Sequence, residues 1–118
     1  MMKGRSVTKE QKRWHDMLVN EVGCIACIWH GRVNNHCSIH HCDGRTKPHA
    51  HWYVLPLCEL HHQHGGEGVA FHHNKFRFEQ RYGTQEELLQ RCCELLARGG
   101  QDIPAGFMAW LDGTEIEA

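Results

Sequence analysis

At 118 residues, with 23% charged residues and a formal net charge of −1, the chain fits a single domain over 1–118 and is too short for two independent cores. It contains no apolar run long enough to span a bilayer and no apolar segment behind its charged residues 1–13, so we expect a cytoplasmic protein without a membrane span. Residues 1–50 carry 8 Lys/Arg against 4 Asp/Glu, whereas residues 51–118 carry 5 against 10, and a basic first half suits an anionic partner such as nucleic acid.

The first predicted element is a helix over residues 8–22. Thr8, with Gln11 three residues later, has the form of a capping box, and Gly23 ends the apolar periodicity that follows. Trp14 recurs with other apolar residues at helical spacing, so we expect this face to pack on the core.

Two short strands are predicted after a turn over residues 23–27. Residues 37–41 form the first strand, and residues 51–55, rich in aromatic and β-branched types, form the second. Pro56 is expected to end the second strand, and the two strands are expected to pair in antiparallel fashion.

The remaining elements are predicted to be helical. We expect a helical turn over 58–64, a helix from an Asn74 cap to Tyr82, and a strongly periodic helix over 84–98. Residues 101–118 have a mixed, acidic composition, and we expect this tail to be partly disordered.

Two short motifs have the spacing of zinc ligands. Cys24 and Cys27 form C-x-x-C, and Cys58 and His61 form C-x-x-H, which together supply the sulfur and nitrogen donors of a closed structural zinc site. Seven cysteines is an odd number that fits complete disulfide pairing poorly, so the other cysteines are interpreted as reduced thiols. The alternative is that these four are unrelated buried residues.

Histidines are too numerous for the zinc motifs to use them all. Eleven of the twelve lie between residues 30 and 73. Histidine serves both as a metal ligand and as a base near neutral pH, the two groups that phosphodiester hydrolysis requires. His40 and His41 are adjacent in a predicted strand, so they point to opposite faces and cannot do the same work. A second structural zinc, or solvated loop histidines, are the alternatives to a catalytic site.

The order of these motifs resembles an HNH nuclease with its ββα-metal finger, over about residues 24–82. A narrower resemblance is to the recombination-enhancement, RecA-dependent nuclease family of phages and prophages. It is carried by Ser38-Ile39-His40-His41, Asp43-Gly44-Arg45-Thr46-Lys47-Pro48, Val54-Leu55-Pro56-Leu57-Cys58, His61-His62, and His72 with Lys75, Arg77-Phe78-Glu79 and Tyr82-Gly83. The fold that it implies is α+β, a small zinc-stapled HNH-like ββα-metal core with flanking helices.

The resemblance also implies residue roles. His40 would bind a catalytic divalent ion, Mg²⁺ or Mn²⁺ with Zn²⁺ as a further option, and His41 would be the general base. His62 and His72 would complete the ion site, with His73 as the alternative to His72.

Two parts of the predicted site stay open. Asp43 could orient His41, bind the ion or form the Asp43-Gly44 turn, and a role in the site is slightly favoured. HNH motifs usually carry an Asn that fixes the loop holding the base. Tyr53 stands at that position here, so His51 or a backbone group would have to substitute.

Arg45 and Lys47 are the predicted phosphate contacts, which would position DNA without reading its sequence. The function implied is metal-dependent DNA endonuclease activity in recombination, directed by a RecA filament on single-stranded DNA. The alternative is a non-catalytic zinc-binding adaptor for nucleic acid or protein.

Overall fold

The computed structural model describes residues 4–64, 70–71 and 74–117, and within them a two-stranded sheet is surrounded by helices. In chain order the elements are α1 Lys9–Met17, its π-helical continuation Leu18–Val22, α2 Ile25–Trp29, β1 Cys37–His41, β2 Val54–Cys58, a π-helical turn Leu60–His64, α3 Lys75–Tyr82, α4 Gln85–Arg98 and α5 Ala105–Glu117.

The capping box at the start of α1 is confirmed. The Thr8 side chain accepts a hydrogen bond from the Gln11 backbone, and the Gln11 side chain accepts one from the Thr8 backbone. The helical path ends at Gly23, whose φ of 77° favours glycine. A Cβ there would also lie 2.7 Å from the carbonyl oxygen of Asn34, so this position accepts no other residue without a shift of the backbone.

The first zinc motif lies at the start of a short helix, so the predicted turn over 23–27 is wrong in its second half. Cys24 is the N-cap of α2, and its sulfur accepts a hydrogen bond from the Cys27 backbone N–H. The cap satisfies one of the donors that a helix start leaves unpaired. The C-x-x-C spacing is therefore both a ligand pair and a helix cap.

The strands pair in antiparallel fashion as predicted, but β2 begins three residues later than expected. Cys37 pairs with Cys58 and His41 pairs with Val54. Pro56 lies in the middle of β2, so the prediction that it ends the strand is wrong. Each strand of a two-stranded sheet has a free edge, and a residue without an N–H is tolerated there. All five β2 residues are buried, because β2 packs against α2 and α4.

The two predicted helices of the C-terminal half are confirmed. Asn74 caps α3 through the Arg77 backbone N–H, and Thr84 forms a second capping box with Glu87 at the start of α4. Leu96, on α4, is buried in the core.

Within the tail that is predicted to be partly disordered, Ala105–Glu117 forms α5, which packs on α1. The ring of Phe107 is fully buried and stacks on Trp14, with 4.2 Å between ring centroids. Gly106 allows this approach, since a Cβ there would lie 2.6 Å from Glu10 Oε1 and from a ring carbon of Trp52. No helix in the described part of the chain is long and apolar enough to cross a membrane.

Candidate metal centre and histidine site

The four predicted zinc ligands lie together and are all buried. Their ligand atoms lie within 4.8 Å of one another. His61 Nδ1 is 3.4 Å from the sulfur of Cys24, 3.5 Å from that of Cys27 and 3.2 Å from that of Cys58. Zinc–sulfur bonds of about 2.3 Å and a zinc–nitrogen bond of about 2.0 Å, in a tetrahedron, place sulfur and nitrogen about 3.5 Å apart. The cluster could therefore hold a metal ion such as zinc.

Two separate segments of the chain supply these ligands. Cys24 and Cys27 lie at the start of α2, whereas Cys58 ends β2 and His61 lies in the π-helical turn that follows. The sulfurs of Cys27 and Cys58 are 3.7 Å apart, close to the spacing of about 3.8 Å expected for two sulfurs on one tetrahedral zinc. Burial raises the pKa of the Cys24 thiol, so a cation is needed for this group to be a thiolate near neutral pH.

A second pair of imidazoles is formed by His62, next to His61 in the π-helical turn, and His40 of β1. His40 Nδ1 is 3.2 Å from His62 Nε2. Two nitrogen ligands of one ion, each about 2.1 Å from it at an angle of roughly 90–110°, lie about 3.0–3.4 Å apart. The two ring nitrogens are therefore at the separation of ligands that share an ion.

The remaining ring nitrogens of this pair have partners suited to metal ligands. His40 Nε2 donates to Gln85 Oε1 at 2.9 Å, which leaves the Nδ1 lone pair of the neutral ring directed at His62. His62 Nδ1 lies 3.3 Å from the Ser38 hydroxyl. A hydroxyl can donate or accept a hydrogen bond. Ser38 can therefore pair with His62 Nδ1 whether a proton or a cation lies between the His40 and His62 rings.

His41 points to the opposite face of β1, as predicted from the alternation along a strand. Its Nε2 lies 3.1 Å from His51 Nδ1. Its Nδ1 is buried without a hydrogen-bond partner among the described residues. Burial, and then the charge of Arg45, lower the pKa of His41 to about 4, which leaves the ring neutral near pH 7. An unpaired buried nitrogen costs free energy, so it is a candidate for a functional atom.

His51 makes two further contacts, one with the N-terminal segment and one with α1. Its Nε2 donates to the carbonyl oxygen of Arg5 at 2.6 Å. Its own carbonyl oxygen accepts from His15 Nε2, on α1, at 2.8 Å.

The loop between the strands holds the predicted acidic and basic residues. The carboxylate of Asp43 contacts Lys47 Nζ at 3.1 Å and His49 Nε2 at 2.7 Å, and these two partners lower the pKa of Asp43. Asp43 therefore braces the loop in this structure. Lys47 and Arg45 are both exposed.

An open cleft of about 580 Å³ adjoins the histidine pair. Its wall includes His62, Ser38 and Arg45, together with the acidic Glu59. One cation of the loop and one candidate ion ligand thus border the same cleft.

The structure does not bring all the predicted site residues into view. His72 and the alternative His73 lie outside the described residues.

Two contacts were missed by sequence reasoning, those of Gln85 with His40 and of His15 with His51. Glutamine in the first turn of a helix carries no sequence signal for such a role.

A comparison with known protein families finds a match over most of the chain. The model of the family described as recombination enhancement, RecA-dependent nuclease matches residues 7–97. The matched range contains the zinc-ligand cluster, both strands, α3 and nearly all of α4.

Proposed function

The chain belongs to the family of recombination-enhancement, RecA-dependent nucleases, and on that premise we propose that it is a metal-dependent DNA endonuclease of the HNH type. In this proposal the Cys24, Cys27, Cys58 and His61 cluster holds a structural zinc ion. A RecA filament on single-stranded DNA directs the enzyme to its substrate.

The observation that carries the proposal is the contact between His40 Nδ1 and His62 Nε2. These residues would hold the catalytic divalent ion, with His72 or His73 as the predicted further ligand. When bound, the ion offsets negative charge on the scissile phosphate and on the leaving oxygen. The zinc cluster sits beside this pair, since His61 and His62 are consecutive, and it would keep the backbone of the turn rigid.

His41 would be the general base. Its Nε2 faces His51, so its Nδ1, which is buried in this structure, is the nitrogen that would accept a proton once the attacking water reaches it. The neutral ring is the form that can accept a proton, and the low pKa of His41 favours that form. Asp43 would act on the loop by holding Lys47 and His49.

DNA would lie in the cleft that His62, Ser38 and Arg45 border. Arg45 and Lys47 would contact phosphates and so position the duplex without reading bases. Lys47 is already held by Asp43, so Arg45 is the more available of the two cations.

Nicking of supercoiled plasmid tests the proposal. The zinc-loaded full chain is assayed with Mg²⁺ or Mn²⁺, in the presence and in the absence of a RecA filament on single-stranded DNA. We expect metal-dependent cleavage that the filament directs to the matching duplex. The His41→Ala protein should cleave about 10²- to 10⁴-fold more slowly, the usual contribution of a general base.

Zinc content and thermal unfolding of the variant provide the control for folding. Equal cleavage by the parent and by folded His41→Ala would contradict the assignment of the base. DNA binding by the parent without cleavage under any of these conditions would favour the non-catalytic adaptor.

A further inference from the structure

We propose that His51 is the positioning residue for the base, and that it fixes His41 in the tautomer with a proton on Nε2 and a lone pair on Nδ1. The Arg5 carbonyl oxygen contacts His51 in turn, so the N-terminal segment adjoins the positioning residue. The catalytic part of this inference rests on the proposed nuclease function, whereas the tautomer can be measured without it.

The contact between His51 and Arg5 allows only one direction of hydrogen bonding. The carbonyl oxygen of Arg5 can only accept, so His51 Nε2, 2.6 Å away, must carry the proton. In the neutral ring the other nitrogen, His51 Nδ1, then carries a lone pair.

That lone pair determines the state of His41. His41 Nε2 lies 3.1 Å from His51 Nδ1, so with a neutral His51 ring His41 Nε2 is the donor of this hydrogen bond. The lone pair of neutral His41 is therefore on Nδ1, the buried nitrogen that has no hydrogen-bond partner among the described residues. The contact with His51 thus assigns the lone pair of neutral His41 to Nδ1.

Helix α1 fixes the backbone that carries His51. His15 Nε2 donates to the carbonyl oxygen of His51 at 2.8 Å, and Trp14 Nε1 donates to that of Trp52 at 3.2 Å. The side chain of His51 is itself buried. Two consecutive helix residues thereby hold two consecutive carbonyl groups, which fixes the backbone at His51.

The N-terminal segment joins the His41–His51 pair to the predicted DNA-binding loop. The Arg5 backbone N–H donates to the Arg45 carbonyl oxygen, and Arg5 Nε donates to that of Thr46, each at 2.8 Å. The carbonyl oxygen of Arg5 therefore contacts His51, whereas its backbone N–H and its Nε contact the loop. Arg5 thus links His51, the partner of His41, to the loop that carries Arg45.

Two substitutions separate the two nitrogens of His51. In His51→Asn the amide oxygen is bonded to Cγ, as Nδ1 is, and can still accept from His41. In His51→Gln the amide group reaches the position of Nε2 and can contact Arg5, but no acceptor remains beside His41. Tautomers of the full, zinc-loaded chain are read from ¹⁵N NMR of the imidazole rings, and activity from plasmid nicking.

We expect the parent spectrum to show a protonated Nε2 and a bare Nδ1 for both His41 and His51. His51→Gln should give a mixture of His41 tautomers and a kcat lowered by about 10- to 100-fold, the usual effect of losing a residue that orients a catalytic group. His51→Asn should retain the parent tautomer and most of the activity. KM for DNA should stay the same in both variants.

A parent spectrum with His41 protonated on Nδ1 would overturn the inference, as would an unchanged His41 tautomer in His51→Gln. Equal kcat values for the parent and a folded His51→Gln would overturn its catalytic part. A parent that does not cleave DNA would contradict the proposed function, and the NMR result would then decide the positioning role alone.

Discussion

Gln85 Oε1 lies 2.9 Å from His40 Nε2, a contact that joins the first residue of α4 to the fourth residue of β1 across 45 residues of sequence. Both side chains are buried. The amide oxygen requires the proton of His40 to be on Nε2, and this requirement presents Nδ1 to the proposed ion. Gln85 thus sets which nitrogen of His40 faces His62.

Replacing Gln85 with Leu should weaken binding of the catalytic ion. His40 can then move its proton to Nδ1, where it occupies the place of the ion. We expect the dissociation constant for Mn²⁺, measured by electron paramagnetic resonance on the zinc-loaded chain, to rise about 10- to 100-fold. Gln90→Ala, at an exposed position of the same helix, is the control and should bind Mn²⁺ as the parent does. Equal Mn²⁺ affinity in all three proteins would remove Gln85 and His40 from the proposed ion site.

Replacing Cys24 with Ser should remove the structural metal and much of the folded state. The parent is expected to retain about one zinc ion per chain after dialysis, because a closed site with three sulfurs and one nitrogen binds zinc tightly. Metal analysis and circular dichroism before and after chelation measure both effects. Cys93→Ser, at a half-buried position outside the cluster, should keep its zinc. Full zinc content in a folded Cys24→Ser protein would contradict the predicted ligand set.

Replacing Arg45 with Ala should weaken DNA binding and lower its dependence on salt. Removal of one cation that binds a phosphate reduces the slope of log affinity against log salt by about 1. Fluorescence anisotropy with a labelled duplex, over a series of salt concentrations, measures both quantities. Arg91→Ala is the matched control, since Arg91 borders a different cleft on α4. The same slope for Arg45→Ala and for the parent would exclude a phosphate contact at this residue.

Replacing Phe107 with Ala should reduce stability and leave the zinc content unchanged. The ring is fully buried against Trp14, and a truncation of this kind costs about 3–5 kcal/mol in the free energy of unfolding. Urea titration of the zinc-loaded chain measures the loss. Met108→Ala removes an adjacent, exposed side chain and should change the free energy by less than about 1 kcal/mol. Similar stabilities for the two variants would mean that α5 does not contribute to the core.

Local features of the fold could be predicted because their physical causes lie within a few residues. The capping box of Thr8 with Gln11 joins groups three residues apart, and the Asn74 cap acts over the same distance. The zinc motifs are also local, since the ligands of each pair are only three positions apart. Two such pairs predict one four-ligand cluster.

Strand ends and the C-terminal tail could not be predicted in this way. Pro56 ends a strand only where its missing N–H would face a partner, and here the free edge of β2 removes that conflict. Helix α5 is held on the core by packing of Phe107 against Trp14, 93 positions earlier in the chain. Composition alone could not indicate that place, because it exists only after α1 has packed.

The sequence by itself determined the zinc-ligand cluster, the caps and the opposite directions of His40 and His41, because each depends on spacing along the chain. Only the tertiary structure decided the partners of the imidazoles, Gln85 for His40 and His51 for His41. A hydrogen bond between distant residues depends on where packing places whole helices and strands. The tautomer of each histidine follows from that packing.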